Sequence, residues 1–293
     1  MRIAVYGTEI REEYLPVYKR IFTFFETHSI ELVLFEKNKI SLHEDYQIAT
    51  NEISVFENLP IDGLKLDFIL SIGGDGTFLN AISFALGVNT PIAGINCGRL
   101  GFLADISSDN LEESLTQLLT GDYHIEERSL LEIIEPDHLF PGSNYAANEL
   151  TVHKLDNSSM IKIDTFINNE FLASYWADGL IVGTPTGSTA YSLSVGGPIV
   201  MPDLEGLIIT PIAPHNLTVR PVVVPDNVTI DLRIEGRGNQ FMVSFDHRSQ
   251  PHDFSVNLKI RKANLTVSVV KLNGLSFYST LRNKLMWGAD KRN

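Results

Sequence analysis

Three glycines and an aspartate follow an apolar run in the stretch LDFILSIGGDGTFLNAISFAL, residues 66–86. Glycine loses the most backbone entropy on folding, so Gly73, Gly74 and Gly76 need a compensating gain. Close approach of the backbone to a ligand would provide one. A turn between a strand and a helix exposes backbone N–H groups beside the positive end of the helix dipole, and this combination binds phosphate.

An acidic residue inside an anion-binding turn needs its own explanation. Asp75 would repel phosphate unless it accepts a proton or holds a metal ion. The alternative is that GGDGT is only a tight turn whose conformation aspartate favours. The stretch lacks the Gly-Lys-Ser/Thr ending of a Walker A loop, and the chain has no Gly-x-Gly-x-x-Gly fingerprint.

Two further stretches have residue types suited to a polar ligand. ADGLIVGTPTGSTAYSLSVGGP, residues 177–198, combines Asp178 with five glycines and a cluster of hydroxyl side chains, which suits hydrogen bonding to a ligand with many hydroxyl groups. The alternative is a string of turns in a β-rich domain. Asn148 and Glu149 adjoin at a predicted strand end, where an amide and a carboxylate can bind a ribose diol, although a solvated pair is the commoner outcome.

The elements that must position these residues change character along the chain. Up to about residue 123, short apolar runs alternate with helical segments such as SSDNLEESLTQLLTG, which predicts a parallel sheet in an α/β domain. From about residue 148, VTIDLRIEG and FSVNLKI alternate apolar and polar residues, which is typical of antiparallel strands. We therefore predict an α/β domain over 1–123, a β-rich, sandwich-like domain over 124–274, and a C-terminal segment over 275–293.

Composition limits the class of protein. The 293 residues carry a net charge of −13, which disfavours partners such as nucleic acid or a lipid surface, because both prefer a basic face. No apolar run reaches the roughly 18 residues of a membrane span. Cys97 is the only cysteine, so an internal disulfide and a cysteine-rich metal site are excluded. A cytoplasmic protein is expected.

The motifs together resemble the NAD kinase family. GGDGT, GINCGRLGF, NE, DGLIVGTPTGSTAYSLSVGGP and the late FDHR occur in the family's order and spacing, and the similarity covers roughly residues 66 to 290. The run DGLIVGTPTGSTAYS is the most specific part. GGDGT alone is shared with the diacylglycerol and sphingosine kinases.

The resemblance implies Mg²⁺-dependent transfer of the γ-phosphoryl group of ATP to the adenosine ribose 2′-hydroxyl of NAD, giving NADP. It implies that Gly73, Gly74, Gly76 and Thr77 bind the phosphates of the donor, and that Asp75 is the base. It also implies a set of NAD contacts: Asp75, Gly76, Phe102, Asn148, Glu149, Trp176, Asp178, Thr189, Ala190, Tyr191, Ser192, Ser194, Ala213 and Arg248. The resemblance further implies that the domain over 124–274 binds NAD and that the segment over 275–293 returns to the first domain. Members of the family are homodimers or homotetramers whose active sites borrow residues from a neighbouring subunit.

Within this set, Phe102 is expected to form a wall for the adenine, and Asp178 is expected to face the nicotinamide. Two positions depart from the family pattern. Trp176 stands where many relatives have a basic residue, and Asp246-His247-Arg248 replaces a frequent Asp-Gly-Gln. Arg248 is then expected to contact phosphate, while the choice between NAD and NADH is left open by Trp176.

Two other functions are alternatives to NAD kinase activity. A lipid kinase of the diacylglycerol type shares the GGDGT turn but should show a wide apolar cleft or a basic membrane-facing segment, and the sequence has neither. A non-catalytic NAD(P) sensor would be favoured if Asp75 or the Asn148–Glu149 pair were missing. Both are present.

Overall fold

The computed structural model describes residues 1–48, 50, 53–57, 65–98, 101–104, 106–137, 139–140, 144–155 and 159–288. The chain forms two compact units. Unit 1 consists of Met1–Glu127 with the described part of Val267–Asn293, and unit 2 consists of Arg128–Thr266. The predicted domain division at 123/124 and 274/275 stays a prediction. Among the described residues, no helix has both the length and the apolar character that crossing a membrane requires.

Unit 1 alternates strands and helices. Its strands are β1 Arg2–Tyr6, β2 Glu31–Phe35, β3 Ser54–Phe56, β4 Phe68–Gly73, β5 Ile92–Asn96 and β6 Ile106–Ser107, and its helices are α1 Leu15–Thr27, α2 Glu36–Glu44, α3 Asp75–Val88 and α4 Leu111–Thr120. Strand β7, Tyr123–Glu135, leads into unit 2.

The strands of unit 1 form the predicted parallel sheet. They pair in the order β3-β2-β1-β4-β5, and every one of these pairings is parallel. Strand β4 is buried over its whole length, as expected for a sheet covered on both faces. Helix α4 also forms as predicted: Leu111, Leu115 and Leu118 are buried, and Gly121 ends the helix in a left-handed conformation.

Unit 2 is built almost entirely from strands. These are β8 Tyr145–Ala146, β9 Glu149–Lys154, β10 Ile161–Ile167, β11 Glu170–Ala177, β12 Gly179–Gly183, β13 Gly206–Ile212, β14 Val222–Pro225, β15 Thr229–Glu235, β16 Gln240–Phe245, β17 Arg248–Asp253 and β18 Leu258–Leu272, whose part from Val267 onward belongs to unit 1. One short helix, α5 Tyr191–Ser194, follows a 3₁₀ turn at Thr186–Thr189. The last helix, α6 Phe277–Leu285, belongs to unit 1.

Two antiparallel layers enclose the core of unit 2. One sheet has the order β14-β13-β12-β9-β16-β17, and the other layer contains β11, β10, β15 and the first part of β18. Val152 and Phe241 of the first layer share an apolar core with Ile163 and Leu232 of the second. The sandwich-like prediction is confirmed, and it follows from period-two alternation, as in Ile230, Leu232 and Ile234.

One predicted strand is shorter than the sequence indicates. The alternating pattern of FSVNLKI begins at Phe254, but β18 begins at Leu258. Residues 254 and 255 form the turn that follows β17, where the N–H group of Val256 bonds the carbonyl of Asp253 at 3.0 Å. Phe254 and Val256 nevertheless pack against the core of unit 2, so their apolar character reflects burial rather than strand pairing.

Candidate functional site

The GGDGT stretch of unit 1 lies where the sequence predicts it, between a parallel strand and a helix. Strand β4 ends at Gly73, and α3 begins at Asp75 with Gly74 as its extended N-cap residue. Because β4 runs parallel to both β1 and β5, this turn lies at the carboxyl edge of the sheet, where open α/β sheets bind their ligands. The first N–H groups of α3 therefore face the place expected for a phosphate.

The glycines of this turn differ in the space around them. A Cβ at Gly73, which has φ +154°, would lie 2.4 Å from Oγ1 of Thr77, so this glycine allows close packing within the turn. A Cβ at Gly74 or Gly76 would meet no described atom within 4 Å. The backbone at these two positions is therefore open to a ligand.

Asp75 anchors a second loop of unit 1. Its Oδ2 accepts a hydrogen bond from the N–H of Phe102 at 2.9 Å, and its Oδ1 accepts from Leu103 at 3.1 Å and Ala104 at 3.0 Å. Nζ of Lys284, on α6, lies 3.5 Å from Oδ2. The carboxylate remains about one-third exposed, so it is accessible while it holds this loop.

Phe102, the expected adenine wall, is packed against the C-terminal helix. Its ring centroid lies 6.0 Å from that of Phe277, and Nζ of Lys284 lies 4.5 Å from the Phe102 centroid, within cation–π range. Phe102 is only 9% exposed. The helix α6 thus contacts both Asp75 and Phe102, two of the predicted site residues.

In unit 2, Asn148 and Glu149 lie at the start of β9, and both are buried. Three successive N–H groups, those of Ala147, Asn148 and Glu149, donate to the carboxylate of Asp246 at 2.8, 2.8 and 3.2 Å. The pair is therefore held by its backbone, which leaves its side chains available for a ligand.

The carboxyl group of Glu149 has an unusual environment. Burial raises its pKa to about 8, the negative charge of Asp246 acts in the same direction, and a hydrogen bond from the N–H of Tyr191 opposes both. Its Oε2 is buried without a hydrogen-bond partner among the described residues. Buried polar atoms normally have partners, so this oxygen is a candidate hydrogen-bonding group for a ligand.

The segment after β12 packs on the same backbone. The N–H of Thr184 bonds the carbonyl of Asn148 at 2.9 Å, and Oγ1 of Thr184 donates to the carbonyl of Ala147 at 2.5 Å. A Cβ at Gly187 would lie 2.2 Å from the carbonyl oxygen of Asn148, so only glycine allows this approach.

The predicted contacts in this segment divide into accessible and enclosed residues. Tyr191 is 39% exposed, and Ser194 is also exposed. Ser192 is fully buried, and its hydroxyl lies 2.9 Å from that of Thr210. Oγ1 of Thr189 donates to the carbonyl of Thr186 at 3.2 Å, and Ala190 links the 3₁₀ turn to α5. Ser192 therefore contributes to packing in this conformation.

Asp178 and Ala213 lie at the other end of the same sheet. Gly183 pairs with Glu149, whereas Gly179 pairs with Ile212, so the two ends are separated by four residue steps, or about 14 Å. Ala213 has φ 45°, a left-handed conformation that is uncommon for a residue with a Cβ.

Asp178 forms an ion pair at this end of the sheet. Nζ of Lys154 lies 2.7 Å from Oδ1 of Asp178. Trp176, on β11, is 46% exposed, and its carbonyl accepts a hydrogen bond from the N–H of His215 at 2.8 Å. An exposed indole at this position is free to stack on a ligand ring.

Arg248 is engaged inside unit 2. Its Nη2 donates to the carbonyl of Tyr145 at 2.6 Å, and its guanidinium lies 5.5 Å from the ring of Phe140 and 5.3 Å from that of Phe245. Burial lowers its pKa, while the charge of Asp246 acts to raise it. The predicted phosphate contact by Arg248 stays a prediction.

Four residues with clear roles in these arrangements were not among the predicted contacts: Asp246, Thr184, Lys154 and Lys284. The FDHR motif drew attention to Asp246, and the hydroxyl-rich run included Thr184. Lys154 and Lys284 carry no local signal, because a lysine on a strand or helix is usually only a solvated charge.

Comparisons with known proteins agree on one family. A model described as the ATP-NAD kinase N-terminal domain matches residues 4–123, and one described as the ATP-NAD kinase C-terminal domain matches residues 147–272. The NAD kinase of Flavobacterium johnsoniae is 45% identical over 296 residues, with 100% of both chains covered. The NAD kinase of Cytophaga hutchinsonii is 43% identical over 293 residues, again with 100% of both covered.

Two solved structures are similar over nearly the whole chain. A yeast NADH kinase complexed with NADH has a TM-score of 0.83 at 22% identity, covering 99% of this chain and 89% of its own, which supports the fold. An NAD kinase from Archaeoglobus fulgidus in complex with ATP has a TM-score of 0.73 at 26% identity, covering 98% and 99%.

Proposed function

The chain belongs to the NAD kinase family, and on that basis we propose that it transfers the γ-phosphoryl group of ATP to the adenosine ribose 2′-hydroxyl of NAD, with Asp75 as general base. The observation that carries this role is the position of Asp75 at the open N-terminus of α3, with a carboxylate that is about one-third exposed. A sugar hydroxyl is a weak nucleophile, and removal of its proton by a positioned base typically contributes about 10²–10⁴-fold.

Positioning and charge neutralisation supply the rest of the rate enhancement. The N–H groups at the start of α3 bind the phosphates of ATP, together with the hydroxyl of Thr77. The open space at Gly74 and Gly76 supports this role, because phosphate oxygens must approach the backbone without meeting a Cβ.

NAD binds through unit 2 in this proposal. Asn148 and Glu149 hold a ribose, and Tyr191 and Ser194 contribute accessible groups to the adenosine side. The free Oε2 of Glu149 supports the assignment, since a buried oxygen of this kind gains a partner when a ligand hydroxyl arrives.

A divalent metal such as Mg²⁺ is part of the proposed reaction. Among the described residues, no group of three His, Cys, Asp or Glu side chains could hold a metal ion. The described residues therefore do not fit a resident metal centre. Mg²⁺ prefers to keep several waters and to bind substrate phosphates, so the ion is expected to arrive with ATP.

We also propose a cytoplasmic homo-oligomer in which a neighbouring subunit completes the site. Asp178 and Ala213 lie about 14 Å along the sheet from Glu149, so unit 2 presents its predicted NAD contacts in two separate groups. Contribution of one group from each of two copies accounts for this separation. Sedimentation analysis is expected to show a dimer or a tetramer, and a monomer would contradict it.

The test of the proposed function is NADP formation from NAD, ATP and Mg²⁺, read out by an NADP-specific dehydrogenase. Asp75→Asn is expected to lower kcat at least about 100-fold, the lower bound for a general base. The matched control is Asp109→Asn, which makes the same change at an exposed residue of unit 1.

The outcomes separate the enzyme from its mechanism. A wild-type protein that forms no NADP with ATP or with inorganic polyphosphate would refute the kinase assignment. NADP formation that persists in Asp75→Asn would leave the enzyme correct and the assignment of Asp75 as base wrong. Thermal unfolding of both variants controls for the loop that Asp75 anchors.

A further inference from the structure

Asp246 occupies a tight turn between β16 and β17. Its φ of 52° is left-handed, a conformation in which aspartate and asparagine are enriched. Its N–H donates to the carbonyl of Glu149 at 3.0 Å, while its carboxylate receives the three N–H groups of Ala147, Asn148 and Glu149. One residue therefore bonds both N–H and carbonyl groups of the backbone at the start of β9.

These hydrogen bonds place the acidic side chains of Asp246 and Glu149 within electrostatic range of each other. Asp246 faces Glu149 from the β16–β17 turn, the N–H of Tyr191 faces Glu149 from α5, and Arg248 faces Asp246 from β17. Three N–H donors stabilise a charge on Asp246, whereas Glu149 has one donor and a free oxygen. Burial raises the pKa of both carboxyl groups, but the three N–H donors and the charge of Arg248 oppose that rise at Asp246, so a proton that the pair retains resides on Glu149.

We propose that Asp246 is a positioning residue for NAD binding: it fixes the backbone of Asn148 and Glu149, and its charge adds to the effect of burial in keeping a proton on Glu149, whose free oxygen then donates a hydrogen bond to an oxygen of the dinucleotide. The inference rests on the proposed role of Asn148 and Glu149 as NAD contacts. The raised pKa of Glu149, about 8, agrees with a carboxyl group that stays protonated at neutral pH.

The proposal has a chemical consequence that a purely structural role for Asp246 lacks. A neutral carboxyl group donates through its hydroxyl, while a carboxylate only accepts. NAD affinity should therefore fall as the pH rises through about 8 and Glu149 ionises. Removing the charge of Asp246 removes one cause of the raised pKa of Glu149. The fall in NAD affinity with rising pH should therefore move to lower pH in such a variant.

The experiment is isothermal titration of the full-length protein with NAD between pH 6 and pH 10, without ATP. Asp246→Asn is compatible with the left-handed turn and retains one acceptor oxygen. We expect it to lower NAD affinity at least about tenfold, because the variant loses the negative charge and one N–H contact. Asp253→Asn, at an exposed residue of the same hairpin, is the matched control and should bind like wild type.

Glu149→Gln tests the donor directly, because glutamine retains a donor and an acceptor but does not ionise. We expect the fall in NAD affinity with rising pH to disappear in this variant, since its side chain keeps a donor at every pH. This variant decides the question even if Asp246→Asn does not fold.

Three results would overturn the inference: wild-type affinity in Asp246→Asn, wild-type affinity that rises with pH, or an affinity of Glu149→Gln that falls with rising pH as that of the wild type does. Because titration requires no turnover, its outcome is separate from that of the kinase assay. A protein that binds NAD with the expected pH dependence but forms no NADP would refute the proposed function alone.

Discussion

Gly101 makes the anchoring of Asp75 testable without changing the carboxylate itself. A Cβ at Gly101 would lie 1.9 Å from Oδ1 of Asp75, whereas ordinary contacts begin at 3.4 Å. Gly101→Ala therefore requires the new Cβ and Oδ1 of Asp75 to move apart by about 1.5 Å, the difference between these two distances. A shift of this size breaks the hydrogen bonds from Leu103 and Ala104, which are 3.1 and 3.0 Å long.

The expected magnitudes follow from those bonds. A hydrogen bond to a charged group contributes about 1.5–3 kcal/mol, and Asp75 is partly exposed, so Gly101→Ala should lower the free energy of unfolding by about 2–4 kcal/mol. Misplacement of a reacting group by about 1 Å can cost about 10²-fold, so kcat should fall by about that factor if Asp75 is the base.

Chemical denaturation and steady-state NADP formation measure the two effects. Gly98→Ala is the matched control, because a Cβ there meets no described atom within 4 Å and the residue belongs to the same connection after β5. Wild-type stability and kcat in Gly101→Ala would refute this account of Asp75. A loss of stability with unchanged kcat would contradict the catalytic part alone.

Two further predictions concern unit 2. Gly187→Ala places a Cβ 2.2 Å from a backbone oxygen of Asn148, so the free energy of unfolding from chemical denaturation should fall by about 1–3 kcal/mol. Gly183→Ala serves as the control, because its Cβ has its nearest contact at 3.6 Å. Equal losses in the two variants would contradict the packing argument. Glu149 has a pKa raised from 4.5 to about 8, so its protonated form stabilises the fold at low pH and that contribution is lost as the pH rises towards 8. The free energy of unfolding of Glu149→Gln should be measured against that of the wild type from pH 5 to pH 9. The difference should increase in favour of the variant by at most about 1.4 kcal/mol per pH unit and level off above pH 8. A difference that stays constant with pH would refute this prediction.

Local patterns in the sequence predicted the elements and the motifs they carry. The apolar run before Gly73 became the buried strand β4, and the repeat of leucines from Leu111 became helix α4. Asn148 and Glu149 lie at a strand end, as expected. Such features depend on residues close together in the chain, so single-sequence periodicity is sufficient to find them.

The parts that were missed depend on contacts between distant residues. Asp246 lies 98 positions beyond Asn148, and Lys284 follows Asp75 by more than 200 positions. The burial of Ser192 against Thr210 likewise results from tertiary packing. Periodicity gives no register between distant strands, so these pairings required the three-dimensional structure.

Unit 1 is discontinuous in the chain, whereas unit 2 is a single continuous segment. During synthesis, residues 128–266 can therefore complete their fold before Val269 is available to pair with Ile92, and before Lys284 is available to approach Asp75. The loop and helix that carry the proposed base acquire their last neighbours only when the C-terminal segment leaves the ribosome. An unfinished chain consequently lacks the complete surroundings of Asp75, and catalytic competence is expected to appear late in biosynthesis.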